Sequence, residues 1–269
     1  MNFVCPKCRE ALVVIENSAK CKNGHSYDKA RAGYFNLLLS SSGAPHGDNS
    51  EMVTARQTFL DTGAYKPLAD KVAELALRYS QGDTALDIGC GEGYYTDIVE
   101  KAFSEAGRKL NISAFDISKE AVRGVARRNR NIELAVASAY RMPTADESFD
   151  LITNMFSPFA REEILRSLKP SGVFIMAIPG REHLFGLKEI AYKVPYKNEP
   201  ENPEILGFEL LEKADLKYTL TLDTKEKVKS LFMMTPYAYR TPKESRERVL
   251  SLDGLTTEVE FEVFVYKKA

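Results

Sequence analysis

The stretch Thr84-Ala85-Leu86-Asp87-Ile88-Gly89-Cys90-Gly91-Glu92-Gly93, followed by Tyr94 and Tyr95, decides how the chain is read. An apolar run from Thr84 to Ile88 ends in three glycines at alternate positions, and Tyr95 to Phe103 then resumes with helical spacing. The pattern predicts strand, tight turn and helix. Glycines in such a turn supply backbone freedom and let a ligand approach the main chain, because no Cβ stands in the way. The turn is read as a nucleotide cradle; the alternative is a turn that only closes a βα unit.

Spacing narrows the nucleotide. The dinucleotide fingerprint is G-x-G-x-x-G, whereas here Asp87, Gly89, Gly91 and Gly93 fall at alternate positions with no glycine three after Gly91. The D-x-G-x-G-x-G form resembles the first motif of the Rossmann-like S-adenosylmethionine-dependent methyltransferases. That resemblance implies an acidic residue at the end of the next strand for the ribose hydroxyls, and Asp116 in Ile112-Ser113-Ala114-Phe115-Asp116 fills the place.

The N-terminus carries the second signal. Cys5, Cys8, Cys21 and His25 stand as C-x2-C-x12-C-x3-H, two pairs of soft ligands separated by enough chain for a hairpin. Leu12 to Ile15 and Ala19 to Cys21 are its expected strands, and Asn23-Gly24 supplies a left-handed turn. A disulfide is the competing reading, which a cytoplasmic chain disfavours. Four protein ligands leave a zinc ion no open position, so the site is expected to be structural.

With 269 residues, 44% hydrophobic and 28% charged, the chain has room for a sizeable core. No apolar run is long enough to span a bilayer and Met1 to Pro6 lacks a secretion signal, so the expected location is cytoplasmic and no membrane partner is expected. The net charge is −1, but residues 1–39 hold six Lys or Arg against three Asp or Glu. Any nucleic-acid surface must therefore be local.

Residues 40–50, polar and rich in Ser and Gly, read as a linker in which His46 is solvated. An amphipathic helix over Glu51–Leu60 and a second over about Lys66–Tyr79 precede the glycine strand, and Arg56 and Tyr65 are candidates to fold over the methionine end of a cofactor. After Asp116, Ser118 caps a helix whose arginines read as a solvated face. Strands follow at Ile132–Ala137, Phe149–Phe156 and Val173–Ile178. Phe208–Leu222 and Thr256–Tyr266 alternate as a closing antiparallel pair. Many methyltransferases hold adenine with an acidic residue where this chain has Ala137-Ser138-Ala139. The Asn-Pro-Pro-Tyr of adenine amino methylases is matched only by Ser157-Pro158. His183 leaves the carboxyl end of the fifth strand, where open α/β sheets bind ligands.

Together these stretches resemble the bacterial 23S ribosomal RNA (guanine-N1)-methyltransferases over nearly the whole chain. The marks are Cys5-Pro6-x-Cys8, Asn36-Leu37-Leu38, Gly47-Asp48, Glu51-Met52, Ala55-Arg56, Phe59-Leu60-Asp61, Leu86 to Thr96, His183-Leu184 and Met234-Thr235-Pro236. The resemblance implies an α/β fold: a class I methyltransferase sheet at 51–269 behind a zinc-binding, RNA-recognising module at 1–39. It implies a cofactor site of Tyr65, Asp87, Gly89, Gly91, Gly93, Tyr94, Asp116 and His183, with Cys5, Cys8, Cys21 and His25 on zinc. It also implies a homodimer acting on 23S RNA and not on DNA. No catalytic base is assigned. The rivals are a small-molecule methyltransferase whose zinc module only stabilises the fold, and an RNA-binding protein with a relic pocket. Removing zinc is expected to unfold residues 5–25 while leaving cofactor affinity largely intact.

Overall fold

The computed structural model describes residues 1–39, 47–199 and 202–269. Residues 40–46, which hold most of the expected linker and His46, lie outside the described residues.

The glycine strand, β5 (Thr84–Ile88), is buried at Ala85, Leu86, Asp87 and Ile88, as expected of a central parallel strand covered on both faces. It lies between β6 (Asn111–Asp116) and β8 (Phe149–Met155), with Ile88 opposite Phe115 on one side and Asn154 on the other. Outward from β6 come β7 (Glu133–Val136) and β4 (Phe35–Asn36). Outward from β8 come β9 (Leu168–Pro179), β11 (Leu255–Lys268) and β10 (Phe208–Leu222). All neighbours are parallel except the pairs made by β11, which runs antiparallel to both β9 and β10. The strand order reverses at β5, which puts a ligand crevice at the carboxyl end of that strand.

Alternate side chains of β5 serve different faces. Ala85 enters the core formed with α2 (Lys66–Tyr79), α3 (Tyr94–Glu105) and α4 (Lys119–Arg128), while Leu86 and Ile88 enter a second core. That second core includes Phe3, Leu12, Phe35 and Leu37 from the N-terminal module. The module has its own sheet, β1 (Val13–Ile15), β2 (Ser18–Lys20) and β3 (Ser26–Asp28), the last of which alternation did not single out. Its final strand, β4, pairs with β7 and so belongs to the large sheet. The expected break after residue 39 is therefore a break in sequence and not in packing.

Two further boundaries differ. The fifth strand begins at Leu168, not Val173, because Leu168 pairs with Phe149 before Lys169–Gly172 bulges and pairing resumes at Val173 with Leu151. A bulge tolerates Pro170, which has no amide hydrogen to give. Between α7 (Lys225–Met234) and α9 (Lys243–Leu250) the chain forms a short α8 (Tyr237–Arg240). Three helices complete the fold: α1 (Ser50–Leu60), capped by Asn49, α5 (Arg161–Ser167) and α6 (Phe185–Ala191). No helix among the described residues is long and apolar enough to cross a membrane.

Candidate active site and metal centre

At the end of β5 the three glycines all have positive φ, but they serve different neighbours. Among the described residues a Cβ on Gly91 would meet only the Arg56 side chain, at 3.7 Å, so none of them fills the space in front of this residue. One on Gly93 would lie 2.9 Å from Val125 Cγ1, so its hydrogen lets α4 pack against the turn. At Gly89 the space is taken by Ser157, whose hydroxyl donates to the Ile88 carbonyl over 2.9 Å. Both Gly89 and Gly91 border the cavity, but among the described residues Gly91 alone of the three has room where a Cβ would stand.

Two carboxylates fix the turn. Asp87 accepts from the hydroxyls of Thr96 and Thr153, and burial, partly offset by those bonds, pushes it up to about 6. Asp116 accepts from the Gly91 amide at 3.0 Å and the Ser118 amide at 2.8 Å, so it ties the turn to the start of α4. Burial raises it too, and the two amides moderate the rise. The α4 arginines, expected to be solvated, divide. Arg128 packs over Tyr94 and pairs with Glu92 at 2.6 Å and Asp61 at 2.8 Å, clamping α1 to the turn. Arg123 reaches Glu120 on its own helix.

The space left in front of Gly91 is a cavity of about 430 Å³, within the usual range for a small-molecule site. Of the residues expected there, Asp87, Gly89, Gly91, Tyr94 and Asp116 line it. Gly93, Tyr65 and His183 do not. Gly93 is filled in by Val125, and the other two lie behind Phe261, whose ring contacts Tyr65, His183 and the cavity residue Phe156. His183 Nδ1 accepts the Glu260 amide hydrogen, so Nε2 carries the proton and faces the Tyr65 oxygen at 3.3 Å. Burial, with Lys188 nearby, drives His183 down to about 3. It is a neutral packing group with no lone pair toward the cavity.

Arg56, a sequence candidate, does line the cavity, where it pairs with Asp48 at 2.5 Å. Asp48, Glu92 and Tyr95 were missed as lining residues. A charge set between two turn glycines was the available signal for Glu92, and for Asp48 its place in a family mark. Glu92 Oε1 and the Tyr95 hydroxyl are buried without a partner among the described residues, although both residues line the cavity. Unsatisfied buried polar atoms around such a space fit a polar ligand. The donor set and the open face of Gly91 fit S-adenosylmethionine.

In the N-terminal module, the Sγ atoms of Cys5, Cys8 and Cys21 each lie 3.4 Å from His25 Nδ1, and Cys8 and Cys21 sulfurs are 3.7 Å apart. A tetrahedron with zinc–ligand bonds of about 2.0–2.3 Å has edges of about 3.5–3.8 Å. The four residues fit the metal. Burial alone would push the Cys5 thiol up, but the Tyr27 hydroxyl and the amides of Cys8 and Lys7 outweigh it and bring it down to about 6. Cys90 sits in the glycine turn, apart from this cluster.

A family model described as "Methyltransferase domain" matches residues 85–172, and one described as "RlmA, N-terminal", a zinc ribbon, matches residues 3–40. Fold and site together define a class I methyltransferase with an N-terminal zinc ribbon. The chain is 32% identical to the 23S rRNA (guanine(748)-N(1))-methyltransferase of Streptomyces fradiae, over 93% of this chain and 91% of that protein. Proteins of Micromonospora griseorubida (32% identical, 94% and 92% covered) and Bacillus subtilis strain 168 (28%, 99% and 97%) are provisionally named 23S rRNA (guanine-N1)-methyltransferases. The chain belongs to the 23S rRNA (guanine-N1)-methyltransferase family.

Proposed function

We propose that the chain methylates N1 of a guanine in a hairpin loop of 23S ribosomal RNA, using S-adenosylmethionine, as a cytoplasmic homodimer with one structural zinc per chain. The observation that carries this reading is the Streptomyces fradiae likeness, which spans the zinc ribbon and the methyltransferase sheet alike. The bound cofactor supplies a methyl made electrophilic by its sulfonium, so the protein's task is alignment.

Asp116, Ile117 and Ala137–Ala139 share one wall of the cavity and would hold the cofactor's ribose and adenine, and Arg56 and the Gly91 main chain would hold its methionine end. Among the aromatic rings that line the cavity, Tyr94 is held beneath Arg128. Phe156 is 42% exposed at the cavity wall and has a φ of +59°, an uncommon backbone for an aromatic residue. It offers the face on which an unstacked guanine rests. The ribbon exposes Lys7, Lys20 and Arg31 without a carboxylate partner among the described residues, a surface suited to phosphates.

The test is methyl transfer from labelled cofactor to a 23S hairpin transcript, with reverse transcription to locate the product. N1 methylation blocks the Watson–Crick edge, so a stop at one guanine is expected. Label transferred only to a metabolite mixture would refute the RNA reading in favour of the small-molecule rival.

A further inference from the structure

Arg9 follows the metal ligand Cys8 directly and has a φ of +62°, a conformation rare outside glycine. The knuckle imposes it: the Arg9 amide donates to the Cys5 carbonyl at 2.7 Å, closing the turn that presents Cys5 and Cys8. In that conformation the guanidinium leaves the module. It donates to the Thr144 carbonyl at 2.6 Å and the Met142 carbonyl at 3.5 Å, and meets Asp146 at 3.3 Å. Arg166 of α5 grips the same two carbonyls from the other side. The Val4 amide adds a bond to the Pro143 carbonyl at 2.8 Å.

The segment held in this way connects β7 to β8; it forms no strand of the large sheet, and its one backbone bond to that sheet among the described residues is from the Ala137 amide to the Asp116 carbonyl of β6 at 3.1 Å. Its first residues, Ala137, Ser138, Ala139 and Tyr140, form one wall of the cavity beside Asp116 and Ile117. Outside the module, its backbone is anchored by β6 at Ala137, and farther along by Arg166 and by Glu163, which accepts from the Met142 amide at 2.6 Å. The zinc knuckle therefore supplies part of the support for a cavity wall.

We infer that Arg9 is a positioning residue that couples the zinc site to the cofactor cavity through residues 137–146, so that zinc and cofactor each tighten the binding of the other. This rests on the reading that the cavity takes S-adenosylmethionine. It also reverses the expectation that zinc removal spares cofactor affinity. Allosteric coupling is reciprocal, so one factor governs both directions. With Arg9 half-exposed and Arg166 sharing the load, the factor belongs at the low end of the usual range, about fivefold.

The experiment measures zinc affinity by competition with a chelator, with and without saturating S-adenosylhomocysteine, in the wild-type protein, Arg9→Ala and Arg9→Lys. Zinc content and circular dichroism report whether each variant is loaded and folded. Zinc affinity in the wild type is expected to rise about fivefold with the nucleoside. Calorimetry should show the nucleoside binding that much more weakly after zinc is stripped. Arg9→Ala is expected to load zinc yet lose the linkage, and Arg9→Lys to keep part of it, because an ammonium lacks the guanidinium fork. The wild-type comparison needs no variant. Equal zinc affinity in both conditions, or undiminished linkage in Arg9→Ala, overturns the inference. A wild type that binds no S-adenosylhomocysteine while loaded with zinc overturns the cavity reading, and this inference with it.

Discussion

Replacing Gly91 and Gly93 separately by alanine distinguishes a turn that serves a ligand from one that serves packing. Alanine at either site enters left-handed backbone at a cost of about 1–2 kcal/mol. At Gly91, φ +55°, the new methyl meets only Arg56 at 3.7 Å among the described residues, an ordinary van der Waals contact that adds no penalty. At Gly93, φ +87°, it lies 2.9 Å from Val125 Cγ1 and 3.2 Å from Val125 Cα, and overpacking adds about 1–3 kcal/mol. For a chain of this size 1 kcal/mol moves Tm by about 2–4 °C. Gly91→Ala should thus melt roughly 2–8 °C lower and Gly93→Ala up to about 20 °C lower. Cofactor affinity should rank the other way. The Gly91 methyl stands in the cavity and should weaken S-adenosylhomocysteine binding by about tenfold or more, which is about 1.4 kcal/mol. Below its own melting range, Gly93→Ala should bind within a fewfold of wild type. Calorimetric titration beside thermal denaturation reads both. A folded Gly91→Ala protein with wild-type affinity would refute the assignment of this cavity to the cofactor.

His183, neutral and buried with a folded pKa of about 3 against an ordinary 6.5, contributes stability that is complete above pH 6.5 and is lost as pH falls toward 3. His183→Gln should flatten the fall in urea stability between pH 7.5 and 5.5 without adding or removing a limb in the pH–rate profile; a lost limb would make it a base. Deleting residues 1–39 should uncover Leu86, Ile88 and Phe115 on one sheet face and leave a protein that aggregates or melts far lower, so soluble protein with an unchanged Tm would contradict the shared core. RNA recognition by the ribbon is better tested by charge removal. Lys20→Ala and Arg31→Ala should each reduce the slope of log affinity against log salt by about 1, and an unchanged slope would remove those residues from the RNA surface. Phe156→Ala should weaken RNA binding by about 1–3 kcal/mol in a filter or fluorescence assay, and unaltered binding would leave the base without its proposed rest.

Much of the site was legible because its chemistry is local. Alternate glycines after Asp87, an acid at the end of the next strand, and soft ligands at C-x2-C-x12-C-x3-H are patterns that spacing alone constrains. The long alternating strands β10 and β11 were equally plain, since a two-residue period persists over more than a dozen residues. The three residues of β3 and the four of α8 are too short to establish a period.

Sequence by itself therefore picked out the glycine turn, its partner acid Asp116, the cluster of Cys5, Cys8, Cys21 and His25, and the main strands as they follow one another along the chain, because each depends on residues close along the chain. Tertiary structure decided the rest. It set Phe261 between His183 and the cavity, paired Arg128 with the buried Glu92, brought Arg56, with its partner Asp48, over Gly91, and carried β4 of the ribbon into the large sheet. These are contacts between segments far apart in the chain, made by the way two sheet faces and a ring of helices exclude water, and no local period records which of them will meet.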